Sequence, residues 1–339
     1  MTNNVLAIAH EAGNRLTVMN IGSWGVISGT PTLPNTGRVV DFSPDGNYLA
    51  AGNSLTSPFI SIMHTSDWSL VDGAPTLPGA ISNNGRHAIR FSRDGQYLAV
   101  VHSLSPFLTV YNTSDWSIVG GPTVASSAGS VAFSHDGQYL AVTTTSGLVV
   151  FRISDWSVVN GGLPAGVTSS LSLEYSPDGQ YLVYGTSAAP YLFVIDTSDW
   201  SFVSGIPAMS SWVTSLSFLH DGTRLAVIGS GTPNVAILDT STWSAASGPS
   251  PTSAVSAVYS PDGQYLAVPN STFGDGRLRV YNTSDWSVVS GTPSLPGVGI
   301  HAAWLQLPPE FLLPAPIVLP PVAVTGTTAI VEWTWVPEV

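Results

Sequence analysis

Short apolar runs such as Tyr97-Leu98-Ala99-Val100-Val101 and Phe107-Leu108-Thr109-Val110-Tyr111, bounded by polar turns, fill most of the chain, the pattern of short β-strands. Two kinds of turn separate them. In the first, an aromatic strand ending (Phe42, Phe91, Phe133, Tyr175, Phe218, Tyr259 or Trp304) leads, in six of seven cases, into an Asp-Gly pair such as Asp45-Gly46 or Asp262-Gly263. Such a pair between apolar runs marks a hairpin, because Gly takes a positive φ and Asp accepts hydrogen bonds from nearby N–H groups. The second kind ends in a Trp. These are Trp24, Trp68, Trp116, Trp156, Trp200, Trp243 and Trp286, spaced by 44, 48, 40, 44, 43 and 43 residues.

The unit between successive Trp residues holds four strand-like runs: A, up to the aromatic residue; B, after Asp-Gly; C, before the Trp; and D, after it. Four strands repeating at about 40 to 45 residues predict a blade of a β-propeller. Val5 to His10 reads as B, Arg15 to Asn20 as C and the stretch from Trp24 as D, so the first unit lacks its A strand. Ile300 to Leu307 supplies it from the other end of the sequence. The expectation is an all-β chain: a seven-bladed propeller of four-stranded blades over residues 1–307, its first blade closed by the strand at about 300–307.

Residues 308–339 break the pattern. Pro308, Pro309, Pro314, Pro316, Pro320, Pro321 and Pro337 predict an extended arm over the first half. The run that follows alternates, with Ala329, Val331, Trp333 and Trp335 on one side and Ile330, Glu332, Thr334 and Val336 on the other. A lone strand is unstable in water, so this one is expected to dock, either on the flank of the propeller or as an assembly strap on another subunit.

Charge adds little. The net charge is −12, yet six Asp belong to Asp-Gly turns (Asp45, Asp94, Asp136, Asp178, Asp221, Asp262) and five to Ser-Asp-Trp turns (Asp67, Asp115, Asp155, Asp199, Asp285). Both turns fall at the same end of each unit, which predicts an acidic face whose first reason is structural. Lys is absent and all nine basic residues are Arg, so no basic patch for nucleic acid is expected. The chain has no Cys. No run of 18 apolar residues and no charged start before an apolar stretch is present, so neither a spanning helix nor a secretory signal is expected.

The connections at the opposite end, B to C and D to A, differ in length and chemistry, and binding residues collect on loops of rigid scaffolds. The longest departure lies between Trp68 and Phe91, around Asn83, Asn84, Arg86 and His87. Counting back from a two-residue Asp94-Gly95 turn puts His87 opposite His102, and the same count puts Arg38 opposite Asn53. His10 and His301 fall at this end of the first blade. His10, Arg38, Asn53, Asn83, Asn84, Arg86, His87, His102 and His301 form the candidate binding cluster, with donors suited to sugar hydroxyls, carboxylates or phosphates. A metal site would need His10 or His301 beside His87 and His102 and has no spacing motif behind it, so no metal and no cofactor are expected. Asp41, Arg90 and Glu174 share the place just before the aromatic residue, and Asp41 with Arg90 suggests a pair between adjacent blades. Trp212 falls outside the Trp pattern, either a sugar platform or a loop plug.

The units Ser260-Pro261-Asp262-Gly263-Gln264-Tyr265-Leu266-Ala267-Val268 and Tyr281-Asn282-Thr283-Ser284-Asp285-Trp286 resemble those of WD-repeat and YVTN-type propellers, over about nine tenths of the chain. The Gly-His pair of standard WD repeats is missing and Asp precedes Trp here. Uniform repeats in a Lys-free chain rich in Ser, Thr and Gly look similar to repeat proteins of bacteriophage virions. The resemblance implies a non-enzymatic structural or attachment protein of the virion, anchored to other virion proteins through residues 308–339. Its loop face would meet a host glycan or surface protein, without nucleic acid or membrane insertion. The alternatives are a protein-interaction scaffold in the bacterial cytoplasm and a propeller lactonase. No nucleophile elbow, phosphate loop or metalloprotease pattern supports catalysis.

Overall fold

The computed structural model describes residues 5–10, 16–30, 32–33, 36–53, 57–81, 87–159, 170–231, 234–251, 253–271 and 277–305. Among these the chain is all-β, in seven small antiparallel sheets with no helix. The first sheet joins Val5–His10 to Leu16–Asn20 on one side and to Gly299–Leu305 on the other. The next six begin with Gly37–Phe42, Ile89–Phe91, Ala128–Phe133, Ser170–Tyr175, Val213–Phe218 and Val258–Tyr259 in turn. Each first strand lies beside that of the next sheet, and Val258–Tyr259 lies beside Gly299–Leu305, so the contacts close on themselves. Buried aliphatic side chains fill the seams, for example Ile62, Leu98 and Val110 between the second and third sheets.

The Asp-Gly turn is built the same way wherever Ser opens it. Ser43 Oγ donates to Asp45 Oδ1 at 2.6 Å and accepts from Tyr48 N at 2.8 Å, while Asn47 N donates to Asp45 at 3.0 Å. Ser92, Ser134, Ser176 and Ser260 repeat this with Asp94, Asp136, Asp178 and Asp262. Ser43 N bonds Tyr48 O, so the loop spans four residues rather than two. The register is that of the two-residue count, because Ser43 simply takes the facing position.

The Trp turn has its own device. Asp67 accepts from Ser69 N at 2.9 Å, and Trp68, between them, takes a φ of 63°. The Trp of each of the seven Trp turns has positive φ, a conformation costing non-glycine residues roughly 1–2 kcal/mol. In five of the seven an edge-to-face contact with a Tyr of the preceding sheet offsets it. Trp116 meets Tyr48, Trp156 meets Tyr97, Trp200 meets Tyr139 and Trp243 meets Tyr181, with centroids 5.2 to 5.6 Å apart. Trp24 meets Tyr265 across the closure at 5.5 Å. Arg224 replaces the Tyr under Trp286, 6.0 Å from the ring.

The expected fourth strand is one bridge long in six sheets: Met19 with Val26, Met63 with Leu70, Tyr111 with Ile118, Phe151 with Val158, Ile195 with Phe202 and Tyr281 with Val288. The reason is local. Gly29, Gly73, Gly121, Gly205 and Gly291 follow three residues after the bridge with positive φ and turn the chain off the sheet. In the sixth sheet Gly248 does not do so, and Ser244–Ala246 forms a true fourth strand.

Candidate functional site

Among the described residues, the predicted set is not gathered into one surface cluster. His10 and His102 are fully buried, each donating or accepting within its own hairpin: His10 Nε2 to Thr17 Oγ1 and His102 Nε2 to Thr109 Oγ1, both 2.9 Å. Asn53, also buried, donates from Nδ2 to Pro58 O at 2.6 Å. These positions lie at the end of the second strand of their sheets, and their side chains bond across the connection that follows, the histidines to the next strand and Asn53 to the loop. Thr186 does the same in the fifth sheet, donating to Ala188 O at 2.6 Å.

The expected pairings fail at a bulge. The count holds from Phe42–Leu49 to Val39–Gly52, then Arg38 is skipped and Gly37 faces Asn53. In the third sheet it holds to Ile89–Val100, after which His102 bridges Ile81 instead of His87. Similar shifts recur at Ser170/Ser172 and Val213/Ser215, where the inner strand bends around the axis. Asn83, Asn84 and Arg86 lie outside the described residues, as do Ala329, Val331, Trp333 and Trp335 of the arm.

Released from His102, His87 turns inward. Its Nδ1–H donates to Leu173 O of the fifth sheet at 2.7 Å and lies 3.3 Å from Glu174 Oε2. The His301 ring meets it edge-on at 5.8 Å. Arg90 sits between two carboxylates, Nη1 at 3.5 Å from Asp41 Oδ1 and Nη2 at 3.3 Å from Glu174 Oε2. Asp41 Oδ2 also accepts from Phe91 N at 2.8 Å. These groups line an axial cavity of about 210 Å³, bounded also by the inner strands of the sixth and seventh sheets. Asp41 and Arg90 thus do pair between neighbouring sheets, and Glu174 reaches the same guanidinium from the fifth.

Burial dominates the electrostatics. It raises the Asp41 carboxyl to about 6 against the opposing pull of Arg90 and the Phe91 N–H, and it raises Glu174 in the same direction. Burial, reinforced by Arg90, holds His87 well below the ordinary histidine range, so the ring is neutral at pH 7.

A second cavity of about 140 Å³ shares Glu174, Tyr259 and Pro261 with the first and adds His135, His220, Tyr175 and Phe218. Burial lowers His135 to about 4. His135 and His220 were hidden in the sequence because they sit inside the repeated turn, just before Asp-Gly. The signal was there. The same position is Pro in Pro44, Pro177 and Pro261, and only Arg93, His135 and His220 depart from it. At the loop end, Trp212 is 54% exposed and so is Leu104. A groove of about 510 Å³ on the flank, between Leu77, Pro78, Val110 and Ile118, holds no titratable side chain.

No protein-family model matches the chain, and no curated protein matches it. Among solved structures it is similar to Kuenenia stuttgartiensis hydrazine synthase, with a TM-score of 0.63 and 17% identity over 79% of this chain and 89% of that one. At that identity the likeness is one of fold, and the fold is all-β and propeller-like.

Proposed function

We propose that the chain is a seven-bladed β-propeller that serves, without catalysis, as a structural and attachment component of a virion. Seven sheets in a closed circle support the blade count, and the single bridges after each Trp support a short fourth strand per blade. Residues 308–339 are the anchor to other virion proteins, through the face of Ala329, Val331, Trp333 and Trp335. The loop end faces the host.

One observation carries the attachment reading: the exposed Trp212, preceded by Ser210 and Ser211 in the connection that leads into the sixth sheet. An aromatic face beside hydroxyl groups suits a sugar ring, which offers an apolar face and polar edges. Glycan-array and host-cell binding by wild type and Trp212→Ala tests it. Binding by the wild type that falls at least tenfold in the variant is expected, and equal binding by both overturns the reading.

A further inference from the structure

We propose that the axial cavity binds a small organic ammonium ion, its charged head held by Glu174 and Asp41 and its carbon skeleton lying toward Tyr175, Phe218 and Tyr259. The inference stands apart from the loop end and does not rest on the attachment reading.

Two carboxylates, Asp41 and Glu174, share the single guanidinium of Arg90 in a cavity lined also by His87 and His301, so Arg90 alone does not balance both acids when they are ionised. The existing pairs do not close the gap. At 3.5 and 3.3 Å, Arg90 stands farther from both acids than the roughly 2.7–2.9 Å of charge-assisted hydrogen bonds. Each carboxylate has about four lone-pair sites, so Asp41 and Glu174 keep capacity to accept from another donor beside Arg90.

Shape and chemistry choose the ligand. A dry cavity of roughly 150 Å³ takes a molecule the size of benzene, and the space beside Arg90 is about 210 Å³ with a further 140 Å³ adjoining it. Where the two meet, Glu174 lies next to Tyr175, Phe218 and Tyr259. A carboxylate beside aromatic rings favours an organic cation, because the faces of the rings attract positive charge. A metal ion fits less well: among the described residues no group of three or more His, Asp or Glu side chains is placed to hold one.

Calorimetric titration of the full chain at pH 7.5 provides the test, with n-butylammonium and tetramethylammonium as probes and butanol and butyrate as neutral and anionic controls. Saturable binding of at least one ammonium at one site per chain, with no binding of the controls, is the expected result. Glu174→Gln and Asp41→Asn each weaken it by about tenfold or more, the scale of a lost charged hydrogen bond, while Leu104→Ser leaves it unchanged. A measurement on the unaltered protein guards against variants that misfold: the ring-proton NMR signals of His87 and His301 shift on adding the probe. Absence of ammonium binding, equal binding of butanol, undiminished binding by folded Glu174→Gln, or unmoved histidine signals would each overturn the proposal.

Discussion

The carboxylates of the Trp turns and those of the axial cavity are the same chemical group put to opposite uses. Asp67, Asp115, Asp155, Asp199 and Asp285 are exposed, and hydrogen bonds from the serine two residues on hold them below the usual carboxylate range. Asp41 and Glu174 are driven the other way by burial. In the turns the charge fixes backbone, setting the left-handed Trp on the neighbouring sheet. In the cavity, backbone and fold hold the charge at a cost. The repeated arrangement serves stability, and the unrepeated one needs another reason to exist.

Removing a Trp seated on the neighbouring sheet has the largest expected effect. Trp243 is buried and lies 5.2 Å from Tyr181, so Trp243→Ala is expected to cost about 3–5 kcal/mol, the range for large aromatic truncations, read by denaturant unfolding. A cost below 1 kcal/mol would mean that the Trp does not hold the sheets together.

The two sets of acids should also separate by pH. Asp41 has a folded pKa of about 6 against 3.8, so the folded state keeps its proton longer. Its contribution is fully present below pH 4 and is lost as pH rises toward 6, by about 1–3 kcal/mol. Turn aspartates do the reverse, stabilising above their unfolded pKa and losing that effect as pH falls. Stability measured from pH 3 to pH 7 should therefore peak near pH 4. Asp41→Asn reduces the fall above the peak, and adding Glu174→Gln removes most of the remainder. An unchanged profile in the double variant would show that the cavity acids are not the cause.

The smallest effect sharpens the contrast within one turn. Leu70, two residues after Trp68, is 57% exposed at the outer rim. Leu70→Ser should change stability by less than about 0.5 kcal/mol, and a larger loss would mean that the rim is covered.

Periodic features were legible in the chain because each is local. The Asp-Gly and Trp turns announce themselves in a few residues, and the return of Gly299–Leu305 to Val5–His10 followed from counting strands. Bulges were not legible. Nothing in Gly37-Arg38-Val39 says that the register will shift past Arg38, since the shift is set by how the strand pairs with its neighbour. In the third sheet a bridge from Ile81 takes the place beside His102, and His87 bonds Leu173 instead. The shared position of Asp41, Arg90 and Glu174 was visible, but their convergence needs the fifth sheet to face the third across the axis. The short fourth strands were masked by apolar pairs such as Val26-Ile27, where the glycine beyond decides the outcome.

The pairing of Val5–His10 with Gly299–Leu305 has a consequence for synthesis. At roughly 5–20 residues per second, the first of these strands leaves the ribosome about 15–60 s before its partner exists. During that time its inner edge offers unpaired N–H and C=O groups to any passing strand. Completing the circle thus waits until the six sheets between have been made, and that interval is when two unfinished chains are most able to clasp each other.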